Sequence, residues 1–263
     1  MEARAPSPVL NFVMEITDAP PESRVSLAAA IHGWWRDGLA RAGFFTTFRR
    51  FLGELWDFIL DSTPAGRRRR YGDVDYDWEH RVNTTSAAVG WRDRLLGVFH
   101  SPYQPTEPAL FHAMLQFLNI NFEDFTFIDL GSGKGRTLLM AVDYPFRRVV
   151  GVELLPHLNR IARENISLYH GALQKCFALE SICADAREFV FPDEPLVLYL
   201  FNPFLESGLA RVIANLEQSL RATPRPVAVL YHNPLLANVI EASPLFRKVG
   251  GTHQYAVYRA SIG

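Results

Sequence analysis

The chain has 263 residues, a formal net charge of −1, 48% hydrophobic residues and 21% charged residues. That balance suits a soluble globular protein with enough apolar surface for a sizeable core, so neither disulfides nor a structural metal are needed to fold it. A charge so close to zero gives no global field for a phosphate backbone, which argues against nucleic acid as a partner.

In chain order, residues 1–24 are expected to be poorly ordered, because Pro6, Pro8, Pro20 and Pro21 interrupt any pattern. They carry acidic residues and lack a signal-peptide core. From Val25 to about Leu60 the signal is helical. Phe44, Phe48, Phe51, Leu55 and Ile59 repeat every three or four residues, and Phe45, Leu52, Trp56 and Phe58 widen the stripe. Such a stripe is expected to cover the core rather than to face a membrane or partner. Even so, residues 41–70 hold seven Arg against Glu54, Asp57 and Asp61, which leaves room for an acidic partner or a peripheral membrane contact. Arg supplies nearly all of the 27 basic residues, which weakens any argument from the run Arg67 to Arg70. Pro64-Ala65-Gly66 ends the helix, and residues 67–105 read as an irregular connector with Tyr71, Tyr76, Trp78, Trp91 and Tyr103.

After Pro105 helices and strands alternate, which predicts a mostly parallel sheet with helices on both faces. A helix is expected over Glu107–Leu118, a strand over Thr126–Leu130 and a helix over Arg136–Asp143. A second strand follows at Arg148–Glu153, with its helix at Pro156–His170. The third strand falls near Leu179–Cys183 and the fourth at Leu196–Phe201, the latter a continuous apolar run of the fully buried kind. Leu205–Leu220 is helical and Val227–Tyr231 is the fifth strand. Leu245–Val249 and Gln254–Tyr258 lie too close for a parallel crossover and form an antiparallel hairpin, split by Gly250-Gly251. This divides the chain into residues 1–24, a helical lobe and connector over 25–102, and an α/β domain over 103–263. No apolar run reaches the roughly 18 residues that spanning a membrane requires. Cys176 and Cys183 have no metal-like spacing and read as reduced thiols, so a cytoplasmic location is expected.

The segment Asp129-Leu130-Gly131-Ser132-Gly133-Lys134-Gly135 follows a strand and opens a helix. Glycines there let a ligand approach the backbone and its N–H groups closely. Further on, the second strand ends in Glu153, whose carboxylate can accept two hydrogen bonds from the ribose hydroxyls of an adenosine. These features alone also fit a nicotinamide-binding domain. The dinucleotide fingerprint, however, is G-x-G-x-x-G. Here the loop is G-x-G-x-G and follows Asp129, an acid that repels a pyrophosphate and suits a cofactor bearing an amino group and a sulfonium.

On these residues the chain resembles the class I S-adenosylmethionine (SAM)-dependent methyltransferases, through Phe127 to Arg136 and through Val150-Gly151-Val152-Glu153. The strand plan, five parallel strands ending in a hairpin, is similar to that family's seven-stranded sheet. The resemblance implies SAM as cofactor, S-adenosylhomocysteine as product, and Asp129, Gly131, Ser132, Gly133, Gly135 and Glu153 as cofactor-binding residues. Asp185, in Ala184-Asp185-Ala186, looks like the family's adenine-holding acid, with a helix N-cap as the lesser alternative. Tyr103-Gln104-Pro105-Thr106 resembles an element of the non-SET protein lysine methyltransferases that folds over the methionine part of the cofactor. That likeness implies SAM contacts for Tyr103 and Thr106; an N-cap at Thr106 is the alternative.

Asn202-Pro203-Phe204 sits where the family places its substrate-facing motif. It resembles the Asn-Pro-Pro-aromatic motif of amino-methylating enzymes with one Pro missing. It points to Asn202 as a catalytic residue and to a nitrogen acceptor on a protein side chain or small molecule. Tyr103, Phe201, Phe204 and Tyr231 are candidates for the acceptor wall, and Tyr103 stands with Asn202 among the catalytic candidates. His232 can serve as a base, or belong to a plain turn with Asn233-Pro234. No histidine pair has metal-ligand spacing, which predicts no metal site. Two other readings remain open, a nicotinamide oxidoreductase and a SAM-binding module without turnover. The sequence leaves oligomeric state open.

Overall fold

The computed structural model describes residues 27–61, 75–84 and 105–260. The elements are α1 (Leu27–Asp61), α2 (Asp75–His80), α3 (Pro108–Phe117), β1 (Thr126–Leu130), α4 (Arg136–Ala141), β2 (Arg148–Glu153), α5 (Pro156–Leu168) and β3 (Leu179–Cys183). They continue with β4 (Leu196–Phe201), α6 (Glu206–Ala222), β5 (Val227–His232), α7 (Ala237–Glu241), β6 (Phe246–Gly251) and β7 (Tyr255–Ala260). The seven strands form one sheet in the order β3-β2-β1-β4-β5-β7-β6. β1 to β5 are parallel, and β7 runs antiparallel between β5 and β6.

Every residue of β1 and β5, and all of β4 but Phe201, is buried, as central strands covered on both faces require. Alternation along these strands feeds two cores. Phe127, Tyr199, Leu230 and Val257 pack with Phe111, Met114 and Leu138 on one face. Ile128, Leu198, Leu200 and Val229 pack on the other against Leu209, Val212, Ile213, Leu216 and Leu220, the apolar stripe of α6. The expected strands and helices occupy their expected places, with α7 added. Gly250 and Gly251 prove to lie inside β6, and the chain turns after them through Thr252 to Gln254. The face of Gly250 is pressed on the Phe117 ring, whose Cζ lies 2.2 Å from where a Cβ would stand.

Two expectations for the helical lobe need correction. The stretch read as one helix folds back on itself at Gly43, where φ is 73° and ψ 174°. The rings of Trp34 and Trp35 meet Phe51 at 6.2 and 5.8 Å across the fold. Gly38 lies against Thr47, whose methyl is 2.7 Å from a Cβ built at Gly38. Only a glycine lets the two halves come so close. In its described part the stripe is largely exposed rather than core cover, with Phe44, Phe48 and Leu52 at 56%, 43% and 49% exposure. The side chains of Leu55, Trp56, Phe58 and Ile59 lie outside the described residues, as do Tyr71, the Trp78 side chain and Trp91.

The connector contains structure where none was expected. α2 and the segment Val82 to Thr84 are fastened to the start of α4. Arg136, only 2% exposed, donates from Nε to Thr84 Oγ1 at 2.7 Å, lies 3.4 Å from Asp77 Oδ1 and sits 4.7 Å over the Tyr76 ring. A cation at a helix N-terminus opposes the helix dipole; here the carboxylate and ring offset it. Lys134 Nζ donates to Asn83 Oδ1 at 2.9 Å, and Asn165 bridges Asn83 and the Lys134 carbonyl. Burial draws Lys134 down to about 8, against the pull of Asp77.

Candidate active site

The crossovers after β1 and β4 leave toward opposite edges of the sheet, so the carboxyl ends of these two strands are the switch point at which folds of this kind place a ligand. Asp129, Glu153, Asn202 and His232 all come from strand ends or the residue beyond, so the topology gathers them there.

The loop after β1 carries positive φ at Gly131 (90°), Gly133 (55°) and Gly135 (84°). At Gly131 the demand is steric as well, because a Cβ would stand 2.5 Å from Cβ of Pro203. The loop donors are engaged within the protein. Gly131 N and Ser132 N donate to the Val152 carbonyl at 2.8 and 3.2 Å, Gly133 N to Glu153 Oε2 at 2.8 Å, and Gly135 N to the Ser132 carbonyl at 2.8 Å. The N–H groups of Gly131, Ser132, Gly133 and Gly135 thus hold the loop itself in shape. Gly151 makes this clamp possible, since a Cβ there would meet Leu138 and Ser132 within 2.6–2.9 Å.

Two carboxyl groups dominate the electrostatics. Asp129 is 3% exposed, and burial pushes it up to about 7; a hydrogen bond from Thr137 opposes the rise and the nearby Glu153 adds to it. Glu153 is also buried and raised by burial, while the N–H groups of Leu155 and Gly133 work against that rise. Beside them Ser132 Oγ is buried without a hydrogen-bond partner. A cleft with two buried acids and an unsatisfied hydroxyl favours a ligand that brings positive charge and hydrogen-bonding groups, and disfavours a pyrophosphate.

Asp185 behaves as the alternative reading has it. It caps the 3-10 turn Ala186–Glu188, accepting from Arg187 N at 2.9 Å, and also binds the Arg187 guanidinium through both oxygens. Burial pushes its carboxyl up, but the bonds and charge of Arg187 hold it below the usual range. Three N–H groups of Arg187 thereby engage the carboxylate, one of them shared between its two oxygens, so an adenine amino group would compete with Arg187 for Asp185. Thr106, by contrast, is not an N-cap. That position falls to Glu107, and Thr106 Oγ1 is buried 2.7 Å from the Tyr199 hydroxyl. Tyr103 lies outside the described residues.

Beyond β4 and β5, Asn202 and Asn233 sit at φ 45° and 49°, a left-handed conformation that Asn tolerates better than most residues. Asn202 Nδ2 donates to the Asn233 carbonyl at 2.6 Å, and Oδ1 accepts from the Tyr231 hydroxyl at 2.8 Å. Tyr231, 1% exposed, accepts from Leu236 N as well. It braces Asn202 from below rather than forming an acceptor wall. Phe204 is half-buried against the start of α6. His232 stacks on Phe201 at 3.8 Å, and its Nδ1 is 2.8 Å from the Tyr199 hydroxyl. Burial lowers His232 to about 4, so the ring is neutral at physiological pH.

Thr106, Tyr199 and His232 thus form one buried chain of hydrogen bonds beneath the crevice. Sequence reasoning missed Tyr199 and the Lys134–Arg136 clasp. Tyr199 looks like one more apolar position of a buried strand, and the partners of Arg136 lie more than 50 residues upstream. No local pattern marks either.

Compared with known proteins, residues 100–191 match the family model described as "Histone methylation protein DOT1". No curated protein matches the chain. Among solved structures, it resembles an RNA methyltransferase from Salinibacter ruber in complex with S-adenosyl-L-homocysteine. Identity is 25% over 60% of this chain and 93% of that one, with a TM-score of 0.41. A precorrin-6y C5,15-methyltransferase from Geobacter metallireducens GS-15 matches at 14% identity over 59% of this chain and 88% of that one (TM-score 0.45). A predicted N6-adenine-specific DNA methylase from Listeria monocytogenes matches at 14% over 60% and 51%, respectively (TM-score 0.45).

Proposed function

We propose, on the premise that the chain is a SAM-dependent methyltransferase of class I fold, that it methylates a nitrogen of a protein side chain or small molecule. The observation that carries the reading is the pair of buried acids, Asp129 and Glu153, flanking a glycine loop pressed against Pro203. SAM brings a sulfonium methyl group and an ammonium, and their positive charge would draw the raised carboxyls of Asp129 and Glu153 into their ionised form.

Asp129, Gly131, Ser132, Gly133, Gly135 and Glu153 would hold the cofactor. Glu153 keeps acceptor capacity on both oxygens after its two main-chain bonds, which suits ribose hydroxyls. Thr106 acts indirectly, by orienting Tyr199. In-line transfer needs a positioned, neutral nucleophile, so this chain's part on the acceptor side is orientation and exclusion of water. Asn202 is held rigid by Tyr231 and the Asn233 carbonyl and keeps one amide N–H and one lone pair to offer. The face of Phe201 on His232, with Phe204, favours an uncharged amine over an ammonium. His232, drawn down to about 4, is too weak a base to deprotonate an ammonium, and its role is to shape the pocket.

Parallel calorimetric titrations with SAM, S-adenosylhomocysteine and NAD, followed by transfer from methyl-labelled SAM to a protein extract, small amines and RNA, test this. Binding of the first two ligands and label recovered as a methylated amine support it. NAD binding alone, or label in RNA only, overturns it. Binding without transfer to any acceptor assigns the chain to SAM-binding modules without turnover.

A further inference from the structure

The folded-back α1 ends in an apolar apex that no other described residue covers. Phe45 is 86% exposed and Phe44 56%, with Leu52 and Phe48 close behind. Phe44 and Phe48 stack at 6.0 Å with 8° between their planes, and Phe45 meets Phe44 edge-on at 5.8 Å. The rings therefore form one continuous surface at the fold of the hairpin.

The exposed charges around the apex are predominantly positive. Arg36, Arg49 and Arg50 are exposed. The sole acid between residues 32 and 53 is Asp37, only 15% exposed and 3.6 Å from Arg36. Arg41 is occupied, pairing with Glu206 at 2.6 Å. We infer that this apex docks on an anionic phospholipid surface, with Phe44, Phe45 and Phe48 in the headgroup–acyl boundary and Arg36, Arg49 and Arg50 on lipid phosphates. Aromatic groups lying flat in the interface with basic residues beside them are what interfacial helices use. A second copy of the hairpin would set arginine against arginine, which disfavours self-association through this face. Among the described residues no helix is long and apolar enough to cross a membrane, so the contact is peripheral.

The hairpin is tied to the crevice. Arg41 holds Glu206, and Asp37 Oδ2 accepts from Ser207 Oγ at 3.0 Å, both at the start of α6, which follows Asn202-Pro203-Phe204. Docking would set the acceptor side of the crevice beside the lipid surface. The inference itself does not depend on the proposed activity.

The test is co-sedimentation of the full chain with phosphatidylcholine vesicles, with or without phosphatidylglycerol. Binding to the anionic vesicles, weakened by salt and reduced by roughly ten-fold or more in the double variant F45E/F48E, is expected. Both side chains are exposed, so the variant should melt as the parent does, and that melt guards against misfolding. No binding to anionic vesicles, equal binding to neutral ones, or full binding by F45E/F48E overturns the inference. So does a lipid-free dimer that the variant abolishes, which would give the apex to a second copy.

Discussion

Replacing Asp129 by Asn should stabilise the ligand-free protein at neutral pH and weaken its cofactor binding. Burial is the main reason the carboxyl, ordinarily near 3.8, is pushed up to about 7. A native value above the unfolded one means that the folded state holds the proton more tightly. Stability from this group is therefore greatest below about pH 3.8, falls as pH rises to about 7, and is level beyond that. Some three pH units at 1.36 kcal/mol each set a ceiling of ~4 kcal/mol on the loss. Asn cannot ionise and keeps an oxygen for the Thr137 hydroxyl, so it escapes the loss without orphaning a partner. Urea unfolding of both proteins across this range measures it, and comparison at each pH cancels the other titrating groups. The Asn variant should equal the parent near pH 4 and exceed it by about 2–4 kcal/mol at pH 8. SAM affinity at pH 8 should fall by about ten-fold or more, since the crevice loses charge complementary to the sulfonium. A variant no more stable than its parent at pH 8, or a difference that does not grow with pH, would refute the buried-charge argument.

Gly131→Ala puts a Cβ 2.5 Å from Pro203 Cβ at a φ of 90°, so about 2 kcal/mol of stability and most SAM binding should be lost. Near-parental melting and titration curves would show that the loop and the Pro203 turn are not in close contact. Tyr199→Phe removes the hydroxyl shared by Thr106 and His232 and should cost about 1–3 kcal/mol. A double-mutant cycle with Thr106→Val should show clear non-additivity if the chain is real. His232 is depressed by burial to about 4, so its contribution to stability is present above about 6.5 and is lost as pH falls toward 4. His232→Asn should remove that acid loss in urea titrations, and an unchanged acid limb would contradict the buried neutral ring.

The fold was legible because its signals are local. β1, β4 and β5 are apolar runs flanked by turn residues, and α6 carries its stripe at helical spacing, so each element announces itself within a window of its own length. Asp129, the glycine loop and Glu153 were legible for the same reason, since a motif at a strand end inherits its position from the strand. What the sequence could not give is which polar partners meet across the fold. Arg187 engages both oxygens of Asp185, and Tyr231 takes the Asn202 oxygen. Both acids of the crevice look ordinary in sequence; burial on closing the sheet raises them. The stripe of α1 shows the opposite limit. Its period correctly predicts a helix, but periodicity states only that a face is apolar. Whether that face meets the core or solvent is decided by Gly43, where the chain folds back so that Trp34 and Trp35 meet Phe51 and the rings at the fold are left outside.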